Sequence, residues 1–197
     1  HVSVLSNRFI DMNYGLYIFD GGGCDFHNNF FSANKPNETT IGVYIGYQGV
    51  VSVCFNTFNI VAGDSLSTCI KQIILDDTFN YIPYFEIKNN IMRNLAGPVF
   101  IMEDSLFQYN DHNIFEYSTS PFAIIGLSMT SYSDLASLQQ DGHLLNCYDT
   151  TITFVSNTDL HLASDQFYGL GTINYVTNPV STWYQVIPVS RDIDNEQ

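Results

Sequence analysis

An all-β fold, a right-handed parallel β-helix of stacked coils, is what this sequence predicts. Three observations carry the expectation. An asparagine followed two residues later by a large apolar residue recurs along the chain: Asn7 with Phe9, Asn29 with Phe31, Asn56 with Phe58, Asn90 with Met92 and Asn113 with Phe115. The intervals between these asparagines are 22, 27, 34 and 23 residues. A coil with constant strands and variable loops accommodates such unequal spacing; a strict short-repeat solenoid does not. Finally, 15 Phe and 13 Tyr sit in short apolar runs broken by Asn, Gly and Pro, and good helix formers gather in one segment only.

Taken in order, each coil opens on an apolar residue three before the asparagine: Val4, Phe26, Val53 and Ile87, with Asn110 breaking the pattern. A second apolar run follows a turn: Gly15–Leu16–Tyr17–Ile18, Ile41 to Ile45, Cys69–Ile70 to Ile73–Ile74, and Pro98 to Met102. Lys35–Thr40, Ala62–Ser67 and Asp76–Pro83 are the inserted loops, rich in turn formers. Gly21–Gly22–Gly23 lacks a following helix, so it reads as a turn rather than a phosphate loop. Beyond Phe115 the pattern changes. Phe122–Gly126 and Ile152–Val155 read as strands, Asp159–Leu162 follows a turn, and Thr172–Tyr175 and Trp183–Val189 are weaker strand candidates. The one helix spans 133–140, capped by Ser131 or Ser133, with Leu135 and Leu138 on its apolar face. The expected division is 1–116 for the β-helix coils and 117–197 for further coils and a capping region of the same domain. The asparagines Asn7, Asn29, Asn56, Asn90 and Asn113 are read as a structural ladder at an inner corner, each amide bonding backbone and its neighbours.

Composition bounds the function. The net charge is −14, with only six Lys and Arg, so nucleic acid and anionic membranes are repelled. Such a surface attracts Ca²⁺, yet acidity alone serves solubility, and no cofactor or metal site is expected. No run of apolar residues is long enough for a transmembrane helix. The chain opens directly in a strand-like pattern without a signal peptide, and reads as a piece of something longer. Cys24, Cys54, Cys69 and Cys147 lack metal-ligand spacing and read as buried thiols; disulfides between coils are the alternative.

Four segments carry a resemblance: YNDHNIFEY, SYSDLASLQQDGH, FVSNTDLHLAS and a terminal DIDNEQ, in that order. Together they resemble the C-terminal part of secreted parallel β-helix proteins of Bacteroidota, the pectate-lyase-like superfold with a "choice-of-anchor"-type region. The resemblance is good over 85–197 and holds only as coil pattern over 1–84. Asn195 stands where Gly is usual in that family, and Asp149–Thr150–Thr151 replaces a common Asp-Pro. The resemblance implies a secreted, cell-surface location outside the outer membrane and export by a type IX route. Ser65, Ser105 and Thr150 lie in Asp-Ser/Thr-apolar tripeptides or their near equivalents, similar to O-glycosylation acceptors of Bacteroidota.

Lyases and hydrolases of this fold need paired carboxylates, or a basic residue with Ca²⁺-binding aspartates. The candidates here, Asp76 with Asp77, Glu103 with Asp104, and Asp111, each lie at a turn, and the six basic residues are scattered. Gly63–Asp64–Ser65 matches an esterase block, but Asp159–Leu160–His161 lacks the spacing its partner pair needs. His161 reads as a packed residue. Asn37–Glu38–Thr39 fits an N-glycosylation acceptor. The expected function is therefore a non-catalytic structural or adhesive module of an exported surface protein. Its partners are the rest of a larger polypeptide or surface assembly, and glycans. The alternative is a polysaccharide lyase or glycoside hydrolase fragment.

Overall fold

The computed structural model describes residues 1–19, 23–46, 50–73, 84–103, 109–126 and 128–163. Nearly all of their regular secondary structure is strand: β1 (Val2–Leu5), β2 (Arg8–Ile10), β3 (Tyr14–Ile18), β4 (Cys24–His27), β5 (Phe30–Asn34), β6 (Ile41–Ile45), β7 (Val50–Cys54), β8 (Thr57–Ala62), β9 (Thr68–Gln72), β10 (Tyr84–Lys88), β11 (Ile91–Asn94), β12 (Phe100–Met102), β13 (Tyr109–Asp111), β14 (Ile114–Tyr117), β15 (Ala123–Ile125) and β16 (Thr130–Tyr132). A short helix, α1 (Leu135–Gln140), and a two-residue strand, β17 (Tyr148–Asp149), follow.

Three sheets result, and from β1 to β15 each round of the chain gives one strand to each. The first is ordered β1-β4-β7-β10-β13, the second β2-β5-β8-β11-β14-β17 and the third β3-β6-β9-β12-β15-β16. Pairing is parallel throughout, except that β16 joins β15 antiparallel. Register puts like residues in columns. Val4, Phe26, Val53, Ile87 and Asn110 lie opposite one another in the first sheet. Phe9, Phe31, Phe58, Met92 and Phe115 do so in the second, and Leu16, Val43, Ile70, Phe100 and Ala123 in the third. These columns meet in one core of buried residues, in which Phe26, Phe31 and Phe58 pack ring against ring. A side-chain period of two is what sorts each strand into one face toward this core and one away.

The corner between first and second sheets is built the same way each time. The residue before each repeated asparagine has a left-handed backbone: Ser6, Asn28, Phe55, Asn89 and His112, with φ of 55°, 55°, 58°, 54° and 55°. That conformation reverses the chain within one residue, and Asn tolerates it best among residues with a Cβ.

The last rounds close the core. Leu135 and Leu138 of α1, with Leu144 and Cys147, are buried in it. The helix begins one residue later than a Ser133 cap implies and three later than a Ser131 cap. Asp134 is the N-cap; its carboxylate accepts from Ser137 N at 2.7 Å, and Ser137 completes a capping box. Ile152–Val155 forms no strand. Instead 152–163 is a tight hairpin in which Phe154 makes a single antiparallel bridge to Leu162. It lies on the outside of the second sheet by side chains: Ile152, Phe154 and Leu160 pack with Ile114, Phe30 and Ile91. Gly21, Gly22, Ile74, Asp76–Pro83, Thr172–Tyr175 and Trp183–Val189 lie outside the described residues.

Candidate functional site

The five repeated asparagines form one continuous column. Asn7 N donates to Asn29 Oδ1, Asn29 N to Asn56 Oδ1, Asn56 N to Asn90 Oδ1 and Asn90 N to Asn113 Oδ1, each at 2.9 Å. Each side-chain Nδ2 lies within 3.1 Å of the next Oδ1. The same Nδ2 also reaches the carbonyl two residues back and a carbonyl of the preceding round, as Asn56 does with Cys54 at 3.0 Å and Phe26 at 2.7 Å. Asn29, Asn56, Asn90 and Asn113 are buried; Asn7 is exposed. Every donor and acceptor of the inner members is used, which leaves them nothing to offer a ligand.

Beyond Asn113 the column reaches a sulfur. Asn113 N and Nδ2 lie 3.3 Å and 3.8 Å from Cys147 Sγ. Tyr148 N donates to Asn113 O at 3.0 Å, as Ile114 N does to Asn90 O at 2.9 Å. Cys147 thus stands where a sixth asparagine would stand. Its interval from Asn113, 34 residues, equals that from Asn56 to Asn90, a sign that was readable in the sequence but masked by the change of residue type. All four cysteines are buried and unbridged. Burial pushes the Cys24 thiol up to about 11 and that of Cys54 to about 12, and raises Cys69 further. Such thiols are inert.

On the outward side of the first sheet lies a polar column that the apolar spacing does not mark. His27 Nε2 lies 2.8 Å from Ser52 Oγ. Ser52 Oγ donates to Glu86 Oε2 at 3.3 Å and lies 3.3 Å from Cys54 Sγ. Lys88 Nζ pairs with Glu86 Oε1 at 2.8 Å. Ser, His and Glu meet here, but with the wrong connectivity for nucleophilic catalysis. The acid takes the serine proton rather than orienting the imidazole, and His27 is left to donate to Ser52. His27, Ser52 and Glu86 are all buried. Burial lowers the His27 pKa, against the opposing pull of Asp25 and Glu86, so the ring is neutral at pH 7.

Of the sequence-predicted chemistry residues that are described, Asp64 and His161 each serve their own turn. Asp64 holds its own turn, accepting from Leu66 N at 2.9 Å, Ser67 Oγ at 3.2 Å and Thr39 Oγ1; partial burial works against its charge, and these bonds outweigh it and lower its pKa. The match to an esterase block is thereby a turn. His161 packs edge-on against Phe30 and bonds Asp159. Ser65 is exposed in the turn and Thr150 is half-buried, its N–H bonded to Phe115 O. Asp76, Asp77, Asp104 and Ser105 lie outside the described residues. No group of His, Cys, Asp and Glu suited to a metal ion occurs among the described residues.

The third sheet carries an aromatic row on its outer face. Tyr17 and Tyr44 lie face to face, centroids 4.6 Å apart and 6° from coplanar. Tyr14 meets both edge-on, and Phe19 continues the row beside Tyr17 at 8°. Tyr14, Tyr17 and Phe19 are exposed. No helix among the described residues is long and apolar enough to cross a membrane. Comparison with protein-family models, with curated proteins and with solved structures gave no match to this chain.

Proposed function

We propose that the chain is a segment of right-handed parallel β-helix serving as a non-catalytic structural or adhesive module of an exported, Bacteroidota-type cell-surface protein. The return of every third strand from β1 to β15 to the same sheet supports the β-helix reading. The observation that carries the functional reading is where six of the described carboxylates go. Asp25 meets His1 at 2.7 Å, Glu38 meets Lys35 at 2.8 Å, Glu86 meets Lys88 at 2.8 Å and Glu116 meets Arg93 at 3.0 Å. Asp134 caps α1 and Asp64 holds a turn. Each is spent on the framework beside it, whereas glycoside cleavage needs two aimed at one bond.

The surface this module offers a glycan is the row Tyr14, Tyr17, Phe19 and Tyr44. Aromatic rings with hydroxyl tips suit neutral sugars, while a net charge of −14 repels uronic polymers. Ser65 and Thr150, with Ser105, are the proposed glycan acceptors in the exported protein, and Ca²⁺ is a loose counter-ion at most. Affinity electrophoresis on neutral and uronic polysaccharides tests the reading. Retardation is expected in a neutral glucan or mannan gel, and its loss in Tyr17→Ala and Tyr44→Ala. No unsaturated product is expected from polygalacturonate or alginate, with or without Ca²⁺. Ultraviolet-absorbing oligosaccharides whose release is lost in Asp76→Asn or Glu103→Gln would instead make the chain a lyase fragment.

A further inference from the structure

The two ends of the stack are chemically different. At the far end α1 lies over the core, and the residue after Asn113 in the column is Cys147 rather than an asparagine. At the near end β1, β2 and β3 have no strand on their outer side among the described residues. Val2 is 58% exposed although its partner one round on, Cys24, is 1% exposed. Val4, Phe9 and Leu16 stand in inward columns yet are only partly buried, while Phe26, Phe31 and Val43 beneath them are fully buried. So the core itself, and not only a sheet face, opens at this end.

The column also has a direction. In every round the asparagine Oδ1 accepts from the N–H and Nδ2 of the round before, and its Nδ2 donates onward to the round after. At Asn7 both backbone N–H and Nδ2 are committed, to Asn29 Oδ1 and to Leu5 O. Asn7 Oδ1 receives no donor among the described residues. The end therefore presents an acceptor, three unpaired strand edges and apolar side chains together.

We propose that this end is the docking surface for one further round of β-polypeptide running in the same sense, which places an asparagine amide over Asn7 Oδ1. This rests on the β-helix reading above and names the partner that reading requires. A second copy of the chain does not supply the complement. Docked end to end through the same surface, two copies would set Asn7 Oδ1 against Asn7 Oδ1, acceptor against acceptor. Docked head to tail, the copy would bring to Asn7 Oδ1 not an asparagine amide but Cys147, whose N–H is given to Leu144 O, and would meet α1 and the antiparallel β16 beside the edges of β13 and β17. An aromatic sugar site would not explain the half-buried Val4, Phe9 and Leu16.

The test extends the full chain at its N-terminus with a second copy of residues 1–22, the interval that separates Asn7 from Asn29. A parallel form carries Asn7→Leu in the added copy alone. Amide hydrogen exchange is followed by mass spectrometry on both and on the original chain. The added round should slow exchange across β1–β3 by about tenfold or more, and the leucine version should lose most of that gain around the 5–9 corner. Exchange unchanged by the added round would overturn the proposal, as would equal protection by both versions. Sedimentation of the original chain as a dimer with β1–β3 already protected would overturn it too, in favour of a second copy. Lyase activity, by contrast, would sink the non-catalytic reading and leave this docking result standing.

Discussion

Asn56 illustrates what one side chain does in this molecule. It accepts from Asn29 N and Nδ2 and donates toward Phe26 O, Cys54 O and Asn90 Oδ1. Leucine has about the right volume but none of these bonds, and Asn29 N would be left buried without an acceptor. Asn56→Leu should destabilise the fold by about 1–3 kcal/mol in chemical unfolding, because an orphaned buried donor costs more than a bond contributes. Asn56→Asp keeps the acceptor for Asn29 but sets a carboxylate against two carbonyls, so it should be at least as damaging near neutral pH and milder in acid. If both variants unfold at the wild-type denaturant midpoint, the column is decoration. Phe55 sets the other residue-scale constraint. Its left-handed backbone is what lets the next residue turn its amide along the column, and asparagine fills the same place at Asn28 and Asn89.

At the scale of strands, the third sheet owes its position to two glycines. A Cβ on Gly42 would lie 2.6 Å from Cys69 O and 2.6 Å from a Phe58 ring carbon; one on Gly15 would lie 2.6 Å from Gly42 O and 2.6 Å from the Phe31 ring. The aromatic column of the second sheet thus reaches the backbone of the third, and only hydrogen fits between. Phe58 is fully buried and has nowhere to go. Gly42→Ala should cost about 1–3 kcal/mol as overpacking. Gly142 has φ of +86° but open space around its Cβ position, so Gly142→Ala should cost about 1–2 kcal/mol through backbone strain alone. Thermal unfolding of the two variants side by side reads the difference; equal losses would mean the ring contact does not matter.

For the whole molecule, the buried titratable groups set a pH window. His27 is held below its ordinary value of 6.5, so the unfolded chain binds a proton there that the folded chain refuses. Its contribution is full above pH 6.5 and is lost as pH falls toward the folded value. The thiols act at the other side. Cys24 and Cys54 keep their protons to about 11 and about 12, whereas an unfolded thiol loses its proton near 9.0. Their contribution is full below pH 9.0 and declines above it. Urea midpoints measured across pH should form a plateau between the two limits. His27→Gln should flatten the acid shoulder, and an unaltered shoulder in that variant would assign the acid loss to carboxylates such as Asp134 and Asp159, whose pKa values are lowered by hydrogen bonds.

The sequence by itself determined the periodic part of this protein. The apolar residues of Val4, Phe26, Val53 and Ile87, and the asparagines after them, occupy equivalent places because a repeated round must repeat its inward side chains to stack. That logic is local and survives in spacing, so strands, corners and the asparagine column could all be placed. Tertiary structure decided what periodicity does not encode. Ile152–Val155 reads as strand in sequence, yet the whole of 152–163 settles as a hairpin on the outer face of the second sheet, where Phe30, Ile91 and Ile114 need cover. Cys147 takes an asparagine's place because its sulfur falls over Asn113, a fact of position rather than of residue type. His27, Ser52 and Glu86 are 25 and 34 residues apart, and only parallel register brings them side by side.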